Sequence, residues 1–208
     1  MPRRNRVNPW GDLQAVADRG HFTGNRGCLV DDRERVVRHH AGTLWITCAL
    51  RHRDHRSPLA APRHWTPLFF LDDAVGLAAG HRPCASCRRE AYRRYRDAVS
   101  ASLGASAPLR STELDARLTA ERLRRGQGLD RAADRHVWQA PFRDLPDGTV
   151  VVGDERTPLL VRGDEVRPFT FAGWGEPSAR PSSGMATVLT PPTSYAALVF
   201  GFEPWLAV

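Results

Sequence analysis

Leu71–Arg89 reads LDDAVGLAAGHRPCASCRR, and the fold turns on how that stretch is parsed. Asp72-Asp73 is N-cap chemistry for a short helix, Ala74–Ala79, and Gly80 is suited to end it. His81-Arg82-Pro83 then leads through Cys84 and Cys87 into a second helix, about Ala85 to Val99. Ala91, Tyr95 and Ala98 form its apolar stripe, while Arg89, Arg93 and Arg96 share another face. Two cysteines as Cys-x-x-Cys, at a turn that opens into a helix, are half of a tetrahedral metal site.

The other half must come from elsewhere. Leu44–Leu50, LWITCAL, is rich in β-formers and predicts a central strand with Cys48 near its end. His52 follows four residues later, in a polar loop able to fold back. The simplest set is therefore Cys48, His52, Cys84 and Cys87 on Zn2+. Cys28, in the Gly-rich turn TGNRGCLVDD, competes with His52 for the fourth place; otherwise it is a small buried thiol. His39, His40 and His81 are more remote candidates.

Residues 76–87, GLAAGHRPCASC, resemble the segment ALAAGFRPCKRC typical of the metal-binding N-terminal domain of bacterial Ada DNA-repair proteins. The likeness extends over residues 43–98. Such domains place a C-x3-C pair after a strand, then a loop bearing Arg and Pro, then a short aromatic strand, here Leu68-Phe69-Phe70. The resemblance implies zinc held by thiolates, with the first thiolate of the early pair accepting a methyl group from a DNA methylphosphotriester. Cys48 matches that acceptor, and Cys84 and Cys87 match the later pair. His52 stands where the family has its second cysteine. An imidazole there lowers the negative charge of the site and makes Cys48 a poorer nucleophile. The Pro-Cys-His-Arg motif of the alkylguanine methyltransferase domain is absent.

Composition bounds the rest. The chain has 208 residues, 41% apolar and 25% charged, which is ordinary globular composition. Four cysteines are too few for a disulfide scaffold and point to a reducing compartment. No apolar run is long enough to span a bilayer, and no apolar segment follows the basic MPRRNRVNPW, so we expect a cytoplasmic protein with no secretory signal. Net charge is +7, and all 30 basic residues are arginine. The absence of lysine points to a GC-rich coding sequence, so the arginine count alone overstates any phosphate binding. Distribution is more telling: residues 1–98 hold eighteen arginines against ten acids, and the remainder twelve against thirteen. The basic half is also the cysteine half, a pairing that suits nucleic acid or another polyanion.

In chain order, residues 1–10 read as a mobile basic arm, Asp12–Asp18 as a short helix, and Arg33–His39 as a strand. Residues 100–111 read as a linker, followed by a helix from Ser111-Thr112 to about Arg125. From Asp144 short apolar runs alternate with Asp-Gly, Gly-Asp and Gly-Trp-Gly turns, predicting an antiparallel meander. Met185–Leu189 is a further strand, and Tyr195–Phe200 a closing helix. The expected class is α+β: a zinc-organised, Ada-like, basic subdomain over residues 1–99, a linker and connecting helix over 100–143, and a β-rich region over 144–208.

The expected function is a zinc-stabilised nucleic-acid-binding protein, with DNA as partner and DNA repair or processing as setting. Arg51, Arg53, Arg56, Arg82, Arg89, Arg93 and Arg96 form the phosphate-facing set. Two alternatives stand beside it. One is an enzyme, either accepting an alkyl group on Cys48 or hydrolysing in a cleft between the halves with His136 as acid or base. The other is a non-catalytic partner-binding module whose metal replaces core.

Overall fold

Three strands decide which side of the first sheet is core. A computed structural model describes residues 1–52, 59 and 61–208. The chain begins with β1 (Arg6–Val7), β2 (Leu13–Gln14), β3 (Phe22–Asn25), β4 (Ile46–Ala49) and β5 (Leu68–Phe70). Helix α1 (Asp73–Ala78), strand β6 (Arg82–Pro83), and helices α2 (Arg89–Ser102) and α3 (Ser111–Arg122) follow. The second half adds β7 (Trp138–Pro141), β8 (Val150–Val152), β9 (Pro158–Arg162), β10 (Glu165–Pro168), β11 (Ser178–Ala179), β12 (Met185–Val188) and helix α4 (Pro192–Val199). The fold is mixed α+β, as the sequence predicts.

The first sheet has the order β2-β1-β5-β3-β4-β6, and the second β11-β10-β9-β8-β12-β7. In the first, Thr23 of β3 stands opposite both Cys48 and Phe69, while Gly24 stands opposite both Thr47 and Leu68. Successive side chains on a strand point to opposite faces. Thr47, Leu68 and Phe70 therefore turn inward and are buried, and Thr23, Cys48 and Phe69 turn the other way. Gly24 has no alternative on the inner face: a Cβ there would lie 2.0 Å from the Ile46 carbonyl oxygen and 2.9 Å from the Phe70 ring. Parity alone thus puts Cys48 on the outer face.

Helix α1 covers the inner face. The Asp72 side chain accepts from the Val75 N–H at 2.9 Å, the expected N-cap, and Gly80 ends the helix at φ +84°. Helix α2 begins at Arg89 rather than near Ala85, because residues 85–88 form a turn closed by the Arg88 N–H on the Cys84 carbonyl at 3.2 Å. Tyr95 of α2 is fully buried against α4, its hydroxyl 3.0 Å from Ser194 Oγ.

Three expectations are corrected. Residues 1–10 are not a free arm: Arg6 pairs with Phe69 in a parallel ladder, and Val7 and Trp10 are buried. Asp12–Asp18 is no helix, since the Asp12 carboxylate accepts from the N–H groups of Arg131 and Ala132 at 2.6 and 3.3 Å. Arg33–His39 is no strand, because Asp31 accepts from the N–H groups of Arg33 and Arg35 and turns the chain, leaving one bridge from Val30 to Val36.

The boundaries drawn at residues 99 and 144 do not divide the core. One cluster joins Val7, Leu68, Phe70 and Val75 to Val150, Leu160, Trp174 and Leu189. The Asp72 carboxylate accepts from Trp174 Nε1 at 2.6 Å and the Ala207 N–H at 3.2 Å. Buried apolar area and a shared carboxylate both cross the boundary.

Candidate metal centre

The Cys-x-x-Cys turn meets β4 because β6 runs parallel to it. The Arg82 N–H donates to the Trp45 carbonyl at 3.2 Å and the Cys84 N–H to the Thr47 carbonyl at 2.9 Å. Cys84 thereby arrives beside Cys48, and the turn returns Cys87 to the same point. The turn is clamped from behind by Arg88, whose Nη1 and Nη2 donate to Asp73 Oδ1 and Oδ2 at 2.6 and 2.8 Å. Nη1 also reaches Thr47 Oγ1 at 2.8 Å, and the guanidinium lies 3.8 Å from the centroid of the Phe22 ring.

The sulfurs of Cys48, Cys84 and Cys87 all lie within 4.8 Å of one another. A Zn–S bond of about 2.3 Å with tetrahedral angles would place sulfurs about 3.8 Å apart, so the set fits one ion. The electrostatics point the same way. Bonds from Cys48 and Cys87, with the Cys87 and Ser86 N–H groups, draw the Cys84 thiol far below its ordinary range. Cys48 is pushed far up by donating to Cys84 and Cys87 and by burial. Cys87, lowered by Cys48 but raised by Cys84 and by burial, ends above its ordinary range. Three crowded thiols share one favourable negative charge, and a dication is what would let all three ionise.

Among the described residues no fourth side chain joins the cluster. His52 lines a cleft beside the three sulfurs without joining their cluster, and Cys28 is elsewhere, its thiol donating to the Val30 carbonyl at 3.7 Å. Neither completes the set proposed from sequence. His39 and His81 face buried arginines instead.

The centre stands in the wall of a cleft of about 550 Å3. Thr23, Asn25, Ile46, Cys48 and Phe69 line it as the outer face of β3, β4 and β5, and Trp65 adds a second aromatic wall. Around it the predicted basic set divides. Arg51, Arg89 and Arg93 are exposed, and none of the three forms an ion pair among the described residues. Arg96 is half-buried and pairs with Asp97 at 2.8 Å. Arg53 and Arg56 lie outside the described residues. Arg82 is corrected outright: only 3% exposed, it donates to both Asp115 oxygens at 2.8 Å and presents nothing to a phosphate. His136 is exposed, and its neighbour Asp134 is engaged by Arg131, so no acid–base pair assembles there among the described residues.

Sequence reasoning missed a second assembly, a buried group of Arg26, Arg122 and Arg135 with His39, His81 and Trp45. One signal was present: Leu114, Leu118 and Arg122 are spaced four apart on α3, so Arg122 continues its apolar stripe. No family model, curated protein or solved structure matches the chain. No described helix is long and apolar enough to cross a membrane.

Proposed function

We propose that the chain is a zinc-thiolate protein whose Cys48–Cys84–Cys87 centre stands in a nucleic-acid-facing cleft. The observation that carries the reading is three sulfurs within 4.8 Å in the wall of an open cleft. A soft thiolate set favours zinc over harder cations, and the resemblance of residues 43–98 to the Ada metal-binding domain supports the same ion. Zinc would keep the thiolates ionised at neutral pH. The exposed Arg51, Arg89 and Arg93 supply phosphate contacts, and Trp65 and Phe69 in the cleft wall offer faces on which bases stack.

Metal analysis and DNA retention test it together. The purified protein carries one zinc per chain; Cys84→Ser loses it, while His52→Ala and Cys28→Ser keep it. DNA fragments are retained with an affinity that falls steeply with salt. Changing Arg51, Arg89 and Arg93 together to glutamine lowers the slope of log K against log salt by about 2 to 3. A metal-free wild-type protein overturns the zinc centre, and retention that ignores salt overturns the nucleic-acid partner.

A second reading is favoured by the position of Cys48 itself, which lines the cleft rather than the core. There its sulfur accepts a methyl group from a phosphotriester: a C–S bond forms as the methyl C–O bond breaks, leaving the phosphodiester. Incubation with methylated DNA then adds the mass of one methylene to the Cys48 peptide, a methyl group in place of the thiol hydrogen. An unmodified peptide after prolonged incubation ends this reading and leaves the metal centre standing.

A further inference from the structure

The buried arginine group has too many donors. Arg26 Nε donates to His81 Nε2 at 3.1 Å and Nη1 to the Gly11 carbonyl at 2.7 Å. Arg122 Nε donates to the Gly80 carbonyl at 2.7 Å and Nη1 to that of Thr43 at 2.8 Å. Arg135 Nη2 donates to the carbonyls of Ala78 and Leu189. The guanidinium carbons of Arg26 and Arg122 lie 4.2 and 4.5 Å from the Trp45 ring centroid. Even so, Arg26 Nη2, His81 Nδ1, Arg122 Nη2, and Nε and Nη1 of Arg135 have no acceptor among the described residues. With Nε2 of His81 accepting, its Nδ1 carries the proton, so all five are donors.

Countercharge is equally short. Among the described residues none of Arg26, Arg122 and Arg135 has a carboxylate within ion-pair distance. The nearby Asp12 is taken by backbone N–H groups of Arg131 and Ala132 and lies 4.0 Å from His39 Nε2. Asp134 pairs with Arg131. Buried guanidinium groups without a negative partner are costly, and the cost falls when an anion is supplied.

Arg122 is the member of this group that reaches a pocket wall, although it is only 2% exposed. It lines a pocket of about 340 Å3 with His40, Trp45, Arg124, Arg125 and Arg131. No Asp or Glu lines that pocket, and Arg124 and Arg125 are exposed and free of ion pairs among the described residues. The C-terminal carbonyls of α3 work against an anion here, but only as partial charges. Guanidinium forks match phosphate oxygens in geometry as well as sign, and the volume suits a phosphate with a small attached group.

We propose that this pocket binds a phosphoryl anion, with the exposed Arg124 and Arg125 as its donors and the buried guanidinium of Arg122 as positive charge in its wall. No cysteine lines it, so the site is separate from the metal centre. The anion has two possible sources, free phosphate or mononucleotide on one hand and the 5′-phosphate end of a nucleic acid on the other.

The test is calorimetric titration of the full chain, in a buffer free of phosphate, with inorganic phosphate and then with matched 5′-phosphorylated and 5′-hydroxyl oligonucleotides. Inorganic phosphate should bind, and Arg124→Gln combined with Arg125→Gln, both exposed positions, should weaken it at least about tenfold. A 5′-phosphate preference lost in the double variant assigns the nucleic-acid end; phosphate binding with no such preference assigns a small ligand. No phosphate binding by the wild type, or binding unchanged in the folded double variant, overturns the proposal. Either failure leaves zinc content and salt-dependent DNA retention untouched.

Discussion

Arg88 holds Asp73 with both terminal guanidinium nitrogens, at 2.6 and 2.8 Å, and both side chains are more than nine-tenths buried. The pair ties the turn carrying Cys84 and Cys87 to the first turn of α1, on the far side of β4 from the sulfurs. Asp73 Oδ2 also accepts from the Trp205 N–H at 3.0 Å, so the same carboxylate fixes the C-terminal segment.

Breaking this pair leaves a buried carboxylate without its cationic partner, held among the described residues only by the neutral Trp205 N–H. Arg88→Ala should destabilise the chain by about 3 to 5 kcal/mol and loosen whatever metal ion the three sulfurs take up, because the turn loses its clamp. Arg88→Lys, which restores charge without the fork, should recover part of the stability. Urea unfolding followed at both aromatic fluorescence and metal release checks this; equal stability of Arg88→Ala and wild type would refute it.

Asp72 predicts a pH dependence of definite sign. Burial raises its pKa to about 6, against the bonds from Trp174 Nε1 and the N–H groups of Val75 and Ala207. In the unfolded chain it ionises near pH 4, so between about pH 4 and 6 the folded state holds the extra proton. The stability this group contributes is therefore greatest below pH 4 and falls as pH rises to 6, by about 2 to 3 kcal/mol. Asp72→Asn should remove that slope, which unfolding curves of both proteins from pH 4 to 7 will show by difference.

Gly24 predicts a steric cost at the strand that faces Cys48. Adding one methyl there meets the Ile46 carbonyl oxygen at 2.0 Å, and backbone cannot step aside as a side-chain tip can. Gly24→Ala should cost about 1 to 3 kcal/mol and push β3 from β4. Thermal unfolding gives the cost; a variant as stable as wild type would mean that the two strands are not held in this register.

Local chemistry made much of this legible. Asp72 as N-cap, Gly80 as terminator, Cys48 at a strand end and the Cys-x-x-Cys turn depend on neighbours a few residues away, and each stands as the sequence reads. What was not legible depends on distant partners. Arg6 enters the first sheet only because Phe69 is there to pair with it. Arg82 belongs to a basic run by sequence and to Asp115, 33 residues on, by structure. His52 has the spacing of a ligand, but side-chain direction after β4 is not set by spacing. Isolated arginines in a chain with thirty of them carry no signal of burial, except where Arg122 falls in line with Leu114 and Leu118.

The Arg82–Asp115 pair bears on how the molecule can be taken apart. A fragment cut at residue 99 would keep every cysteine and the whole of the motif, yet it would strand Arg82 without its carboxylate. It would also remove Trp174 and Ala207 from Asp72, and Trp205 from Asp73. Three buried charged side chains would lose partners at one cut, beyond what a small domain's margin of stability absorbs. The piece that looks most like a portable module is the piece least able to travel alone, and expression of residues 1–99 by themselves should yield an unfolded or aggregated chain even with zinc supplied.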